Sequence, residues 1–186
     1  MMMLVRHGQT AFNAAFAESR VDPGVNDPGL TALGRRQARA AATTLAQACA
    51  ARPILRLLAS PYRRTLETAD IIARVLCMPI ALEPLLRERA AFACDVGTPR
   101  SVLAATWPGI DFGQLDEIWW HRQDLHGVEP EETLHRRCDA FCTAMAANGE
   151  RAVVFCHWGV IRALTGETAA NGAVVAYDPS RPQAGG

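Results

Sequence analysis

Three short apolar runs punctuate the chain, MMLVR at 2–6, ILRLLA at 54–59 and RAVVFC at 151–156. Helical patterns fill the space between them, and this alternation constrains the fold more than any other feature. Residues 31–51 are alanine-rich, with Thr31 as the expected N-cap. Residues 60–76 place Ser60 at an expected N-cap and Pro61 at the favoured first helical position. Their Leu66, Ala69, Ala73 and Leu76 recur at helical spacing. A short strand is expected at 80–82, a helix over 130–149 closed by Asn148-Gly149, a short helix over 157–166 and a last strand over 172–177. Strands alternating with helices predict a three-layer α/β/α sandwich with a mainly parallel central sheet. A single domain over 1–177 is expected. It carries an inserted cap- or lid-like segment at about 97–128, and 178–186 form a loose tail.

Composition removes several function classes. Nineteen basic residues balance nineteen acidic ones, so no global field draws the chain to nucleic acid or to an anionic membrane. No apolar run approaches the roughly 20 residues of a transmembrane helix, and the apolar start is too short for a signal peptide. Six scattered cysteines without a C-x-x-C pair read as reduced thiols, hence a cytoplasmic protein. His135, Cys138 and Cys142 have helical spacing but no fourth ligand, so they are read as core or surface residues. No metal and no cofactor are expected, and nothing indicates an oligomeric state.

The ends of the strands carry the chemistry. The first runs into Arg6-His7-Gly8, the second into Ser60 and then Arg63 and Arg64, the third into His157. In parallel α/β sheets, ligands sit beyond the carboxyl ends of the strands. Two imidazoles, guanidinium groups and two helix N-termini should therefore converge there, a combination suited to a phosphoryl group. A neutral His7 could attack phosphorus and form a phosphohistidine. Arg6, Arg64 and a protonated His157 would neutralise the equatorial oxygens. Glu88, in LLRERA, is the candidate general acid and base.

These segments resemble the histidine phosphatase (phosphoglycerate mutase-like) superfamily. LVRHGQTAFN is similar to R-H-G-x-T-x-x-N, and SPYRRTLETA to S-P-L-x-R-A-x-x-T-A, which aligns the family arginine with Arg64. LTALGRRQA, LLRERA and VVFCHWGVIRALTG resemble the further segments in the family's order. The resemblance implies catalytic roles for His7, Glu88 and His157. It also implies a phosphate pocket of Arg6, Asn13, Arg64, His157 and the backbone N–H of Trp158. Trp158 stands where the family often has glycine, so an indole should border the pocket. G-x-W-E-G does not follow Glu88, and a mutase-type enclosing segment is not evident.

The expected activity is thus metal-independent hydrolysis of a small phosphomonoester. A phosphoglycerate mutase, a protein phosphohistidine phosphatase and a weakly catalytic phosphate-binding scaffold are the alternatives. For the tryptophan-rich stretch over 107–122, a hydrophobic cap and a lid over the substrate are both open.

Overall fold

The computed structural model describes residues 1–51, 53–148 and 151–180. Five strands, β1 (Met2–Arg6), β2 (Arg56–Ala59), β3 (Ile80–Leu82), β4 (Ala152–Cys156) and β5 (Val174–Tyr177), form one sheet in the order β3-β2-β4-β1-β5. The β3–β2, β2–β4 and β4–β1 pairs are parallel, and β5 joins β1 antiparallel.

Side-chain alternation divides the core into two layers. Val5, Leu57, Ala59, Val153 and Phe155 face the helices α2 (Ala32–Ala51) and α3 (Arg63–Leu76). Met2, Leu4, Leu58, Val154 and Cys156 face α6 (Glu131–Asn148) and α7 (Trp158–Thr165). All of these strand residues are essentially inaccessible to solvent. Burying a Leu or Val side chain contributes about 1.5–3 kcal/mol, so both faces are strongly specified. The result is the expected α/β/α sandwich.

Two local expectations change. The helix expected from Ser60 begins at Arg63, with Tyr62 at the N-cap position and no side-chain cap of its own. The Ser60 hydroxyl is engaged by His157 instead, and the free N–H of Arg63 is met from a distant segment by Asp27 Oδ1 at 3.0 Å. A helix absent from the sequence reading, α1 (Ala11–Ser19), follows β1. Thr10 and Asn13 hold its start in a reciprocal capping box, with asparagine in the place more often taken by Glu or Gln.

The segment over 97–128 contains α4 (Arg100–Thr106) and α5 (Gln123–His126). Leu103, Phe112, Leu115 and Trp119 bury into the same core layer as α2 and α3. Trp119 packs edge-on to Tyr62 at 4.7 Å and donates its Nε1–H to the Thr98 carbonyl. Trp119 is thus part of this core layer, and Trp107 and Trp120 pack against it. Residues 178–180 form a turn closed by Asp178, and 181–186 of the expected tail lie outside the described residues, as does Gly149. Among the described residues, no helix is long and apolar enough to cross a membrane.

Candidate active site

Register places the site. Arg6 pairs with Cys156 and Ala59 with Phe155, so β1, β2 and β4 end side by side. The backbone continues this pairing for one more residue on each side, with the N–H of His7 on Cys156 O and that of Ser60 on Phe155 O. His7 and His157 thus come to a ring separation of 5.3 Å. A cavity of about 520 Å³ opens there, with Arg6, His7, Asn13, Arg64, Glu88 and Trp158 in its wall. Six of the seven residues expected from sequence line one space. The seventh, His157, stands directly behind His7 and Arg64 and is fully buried.

The loop after β1 is fixed by close backbone approach. Gly8 and Gly34 leave no space for a Cβ, since each would collide with the other segment's backbone. The Gly8 N–H donates to Thr68 Oγ1 at 3.1 Å, and the Thr31 N–H to Gln9 O at 2.9 Å. His7 is thereby clamped to the start of α2 and to the middle of α3.

Hydrogen bonds assign both imidazoles. A carbonyl can only accept, so the 2.8 Å contact between His7 Nδ1 and Gly8 O puts the proton on Nδ1 and the lone pair on Nε2. Burial lowers the His7 pKa well below its ordinary value, and the positive charges of Arg64 and Arg6 lower it further. His157 has the opposite tautomer. Arg64 Nε–H donates to its Nδ1 at 3.3 Å, so Nε2–H donates to Ser60 Oγ at 2.8 Å. Burial, then Arg64, His7 and Arg6, hold His157 neutral as well. This differs from the expected protonated His157, because an arginine already donates to the nitrogen that would take the proton.

Arg64 is 3% exposed, and three of its five N–H groups are engaged, Nε–H by His157 among them. Nη1 donates to Cys94 O at 2.7 Å, Nη2 to Asp95 Oδ1 at 3.0 Å, and the guanidinium lies 4.2 Å from the Tyr62 ring centre. Burial works against its charge, but Asp95 and further negative partners raise its pKa overall. Arg6 is held by one bond, Nη1 to Ala169 O at 2.7 Å, and its buried Nε has no partner among the described residues. A buried donor left unpaired is costly, and an anion in the cavity is a natural acceptor. Asn13 Oδ1 accepts from Thr10 N and from Asn171 Nδ2. With its oxygen so occupied, the side-chain amide offers its Nδ2–H groups to ligands.

Glu88 accepts the N–H groups of Arg89 at 2.9 Å and Gly159 at 3.0 Å. A Cβ on Gly159 would collide with Glu88 Oε1, so glycine there makes room for the carboxyl group. Burial, then the nearby Asp95, raise the Glu88 pKa against the opposing pull of those N–H groups. The helix termini differ from expectation: the first N–H groups of α3 and α7 are partly taken by the carboxylates of Asp27 and Glu88. Attraction for an anion therefore rests more on the guanidinium groups than on helix dipoles.

Several structural contributors escaped the sequence reading: Asp27 and Asp95 on Arg64, Ser60 on His157, and Asn171 on His7 O and Asn13. They come from separate loops with no shared periodicity. Arg63 pairs with Glu67 on the surface, Arg162 lies over the Trp158 ring, and His121 and Arg122 stay outside the cavity wall.

Comparison with known proteins shows the family of the chain. The profile of the histidine phosphatase superfamily (branch 1) matches residues 2–173. The chain is 33% identical over 173 residues to the glucosyl-3-phosphoglycerate phosphatase of Mycolicibacterium vanbaalenii, covering 88% of this chain and 72% of that protein. It is 39% identical over 128 residues to the probable phosphoglycerate mutase GpmB of Yersinia enterocolitica, covering 69% of this chain but only 51% of the relative. The chain thus spans about half the length of that mutase. Among solved structures, a phosphoglycerate mutase from Thermus thermophilus is similar with a TM-score of 0.61 at 28% identity, covering 97% of this chain and 94% of the other. The native mycobacterial glucosyl-3-phosphoglycerate phosphatase gives 0.58 at 26% identity, with 88% and 76% covered.

Proposed function

Because the chain belongs to the histidine phosphatase superfamily, we propose that it hydrolyses phosphomonoesters through a phosphohistidine on His7. The observation that carries this reading is the His7 tautomer: Nδ1–H is tied to Gly8 O and the lone pair sits on Nε2, beside Arg6 and Arg64. That lone pair attacks phosphorus, and the bond from phosphorus to the ester oxygen breaks. Glu88 gives its proton to the departing alkoxide. A water then attacks phosphorus as Glu88 takes its proton, the P–N electron pair returns to His7, and inorganic phosphate leaves. Arg6, Arg64, the Asn13 amide and the Trp158 N–H hold the equatorial oxygens. His157 orients Arg64 and His7 from behind and gains a proton favourably only once a dianion is bound.

The substrate is read as a small phosphorylated molecule, with no nucleic acid or membrane partner. Six free cysteines fit a reducing compartment, which supports a cytoplasmic location. Relatives named as phosphoglycerate mutases favour isomerisation as the second reading. It predicts phosphoglycerate interconversion faster than hydrolysis.

Rapid acid-free quenching with a substrate radiolabelled on phosphorus should trap label on His7 alone, acid-labile and alkali-stable. Label on another residue, or turnover without any trapped label under single-turnover conditions, would overturn the mechanism.

The pKa directions also set a pH profile. Activity needs neutral His7 and protonated Glu88. As pH falls, kcat/KM should hold through 6.5 and drop only through the lowered His7 value; as pH rises, it should drop through the raised Glu88 value. The optimum therefore lies between the lowered His7 value and the raised Glu88 value. Glu88→Gln should be slower throughout and lose the alkaline limb, and a wild-type limb that persists unchanged in Glu88→Gln would remove Glu88 from the role.

A further inference from the structure

The cavity wall holds three phenylalanines that the chemistry does not use. Phe12 and Phe16, one turn apart on α1, stack at 5.4 Å with an interplanar angle of 12°. Phe92 closes the triangle at 5.5 Å from Phe12 and 5.3 Å from Phe16. All three line the same cavity as His7 and Glu88. Phe92 is 40% exposed and Trp158, also in the wall, is 38% exposed, so large apolar rings face the opening.

This wall is tied to the phosphate clamp. Asp95 holds Arg64 with Oδ1 and accepts the N–H groups of Ala91 and Phe92 with Oδ2. Asp22 accepts the Ala93 N–H at 2.8 Å. One buried carboxylate therefore sets the distance from the guanidinium to the Phe92 ring, and the rings are in place before a ligand arrives. The polar groups fall into two sets. Arg6 lies within electrostatic reach of Arg64 and Glu88, and His7 of both arginines, whereas Arg20 lies over the Phe16 ring at 6.0 Å and Arg89 Nε–H donates to Glu129 O. A polyol beyond the ester oxygen would press most of its hydroxyls against ring carbons, with only Arg20 and Arg89 in this wall to meet them. An apolar ring there would gain edge-to-face contact and lose water-exposed surface.

We propose that the alcohol portion of the substrate is an apolar, ring-bearing group that packs against the cavity-facing surface of the Phe12–Phe16–Phe92 cluster. This rests on the phosphatase reading above and names the class of leaving group it serves. Phenethyl, ethyl and glycerol phosphate are all esters of primary alcohols, so their relative rates report binding of the alcohol more than its leaving ability. With the wild-type protein, kcat/KM for phenethyl phosphate should exceed that for both others by about tenfold or more, the scale of apolar pocket discrimination. Phe16→Ala and Phe92→Ala should each shrink the phenethyl-to-ethyl ratio about fivefold. Equal rates, or faster hydrolysis of glycerol phosphate, would overturn the assignment and leave the phosphatase reading standing. If none of the three esters is hydrolysed, the phosphatase reading fails, and calorimetry with phenethylphosphonate against ethylphosphonate decides the ring site by itself. Tighter binding of the phenethyl compound by about tenfold supports the site, and equal binding sinks it.

Discussion

His7→Ala should lower kcat by on the order of 10⁴-fold or more, the range seen when a covalent nucleophile is removed. No other group in the cavity wall can substitute for it. His157 is the nearest imidazole, but both its nitrogens are engaged, Nδ1 by Arg64 and Nε2 by Ser60, and it lies behind His7. The variant should nevertheless fold. The His7 side chain makes one hydrogen bond, to its own neighbour Gly8, and its removal relieves an imidazole buried between two arginines. An unfolding midpoint equal to or above that of the wild type is expected alongside the lost activity. Steady-state kinetics and thermal unfolding of the same preparation check both halves. A His7→Ala protein retaining a tenth of the wild-type rate would end the covalent mechanism.

Glu129→Ala should cost about 3–5 kcal/mol, the scale for leaving a buried charge without its partner. Glu129 is completely buried. Its carboxylate meets Arg137 through Nε at 3.1 Å and Nη2 at 3.0 Å, lies 3.6 Å from Arg87 Nη2, and accepts the Ala90 N–H at 3.2 Å. Removing it strands two guanidinium groups, and in a domain of this size the unfolding midpoint should fall by roughly 10 °C. The loss reaches the active site as well. Glu129 Oε2 accepts the Ala90 N–H and Oε1 pairs with Arg87, so the side chain that is removed anchors the segment on both sides of Glu88. Arg137→Met with Glu129→Leu, which removes the charges together, should recover much of the stability. Chemical denaturation of single and paired variants measures this, and a single-variant loss under about 1 kcal/mol would show the pair to be solvated.

The strands and their polar ends were legible because buried runs and strand-end residues are local signals. MMLVR leads into Arg6-His7 whatever the rest of the chain does. Convergence of Arg64 and Glu88 on that end followed from parallel topology and from family resemblance. The supports of those residues were not legible. Asp27 caps α3 from 36 residues upstream, and Asp95 sits in a segment without periodicity. Ser60 had a sound reading as a helix cap, and lost that role because His157 competes for its hydroxyl. The α1 helix went unseen for a similar reason: its stabilising partner at the third position is an asparagine rather than Glu or Gln. Long-range hydrogen bonds to loops leave no period in the sequence to read.

The place of β1 in the sheet has a consequence for how this chain acquires activity. Its neighbours are β4 on one side and β5 on the other, residues 152–156 and 174–177. The strand that leads into His7 is thus synthesised well before either of its pairing partners. Contacts of such high sequence separation form slowly, and until then Met2–Val5 present an unpaired apolar edge to other chains. Assembly of the candidate site is a late event in folding, and a chain lacking β4 would carry His7 with nothing to aim it.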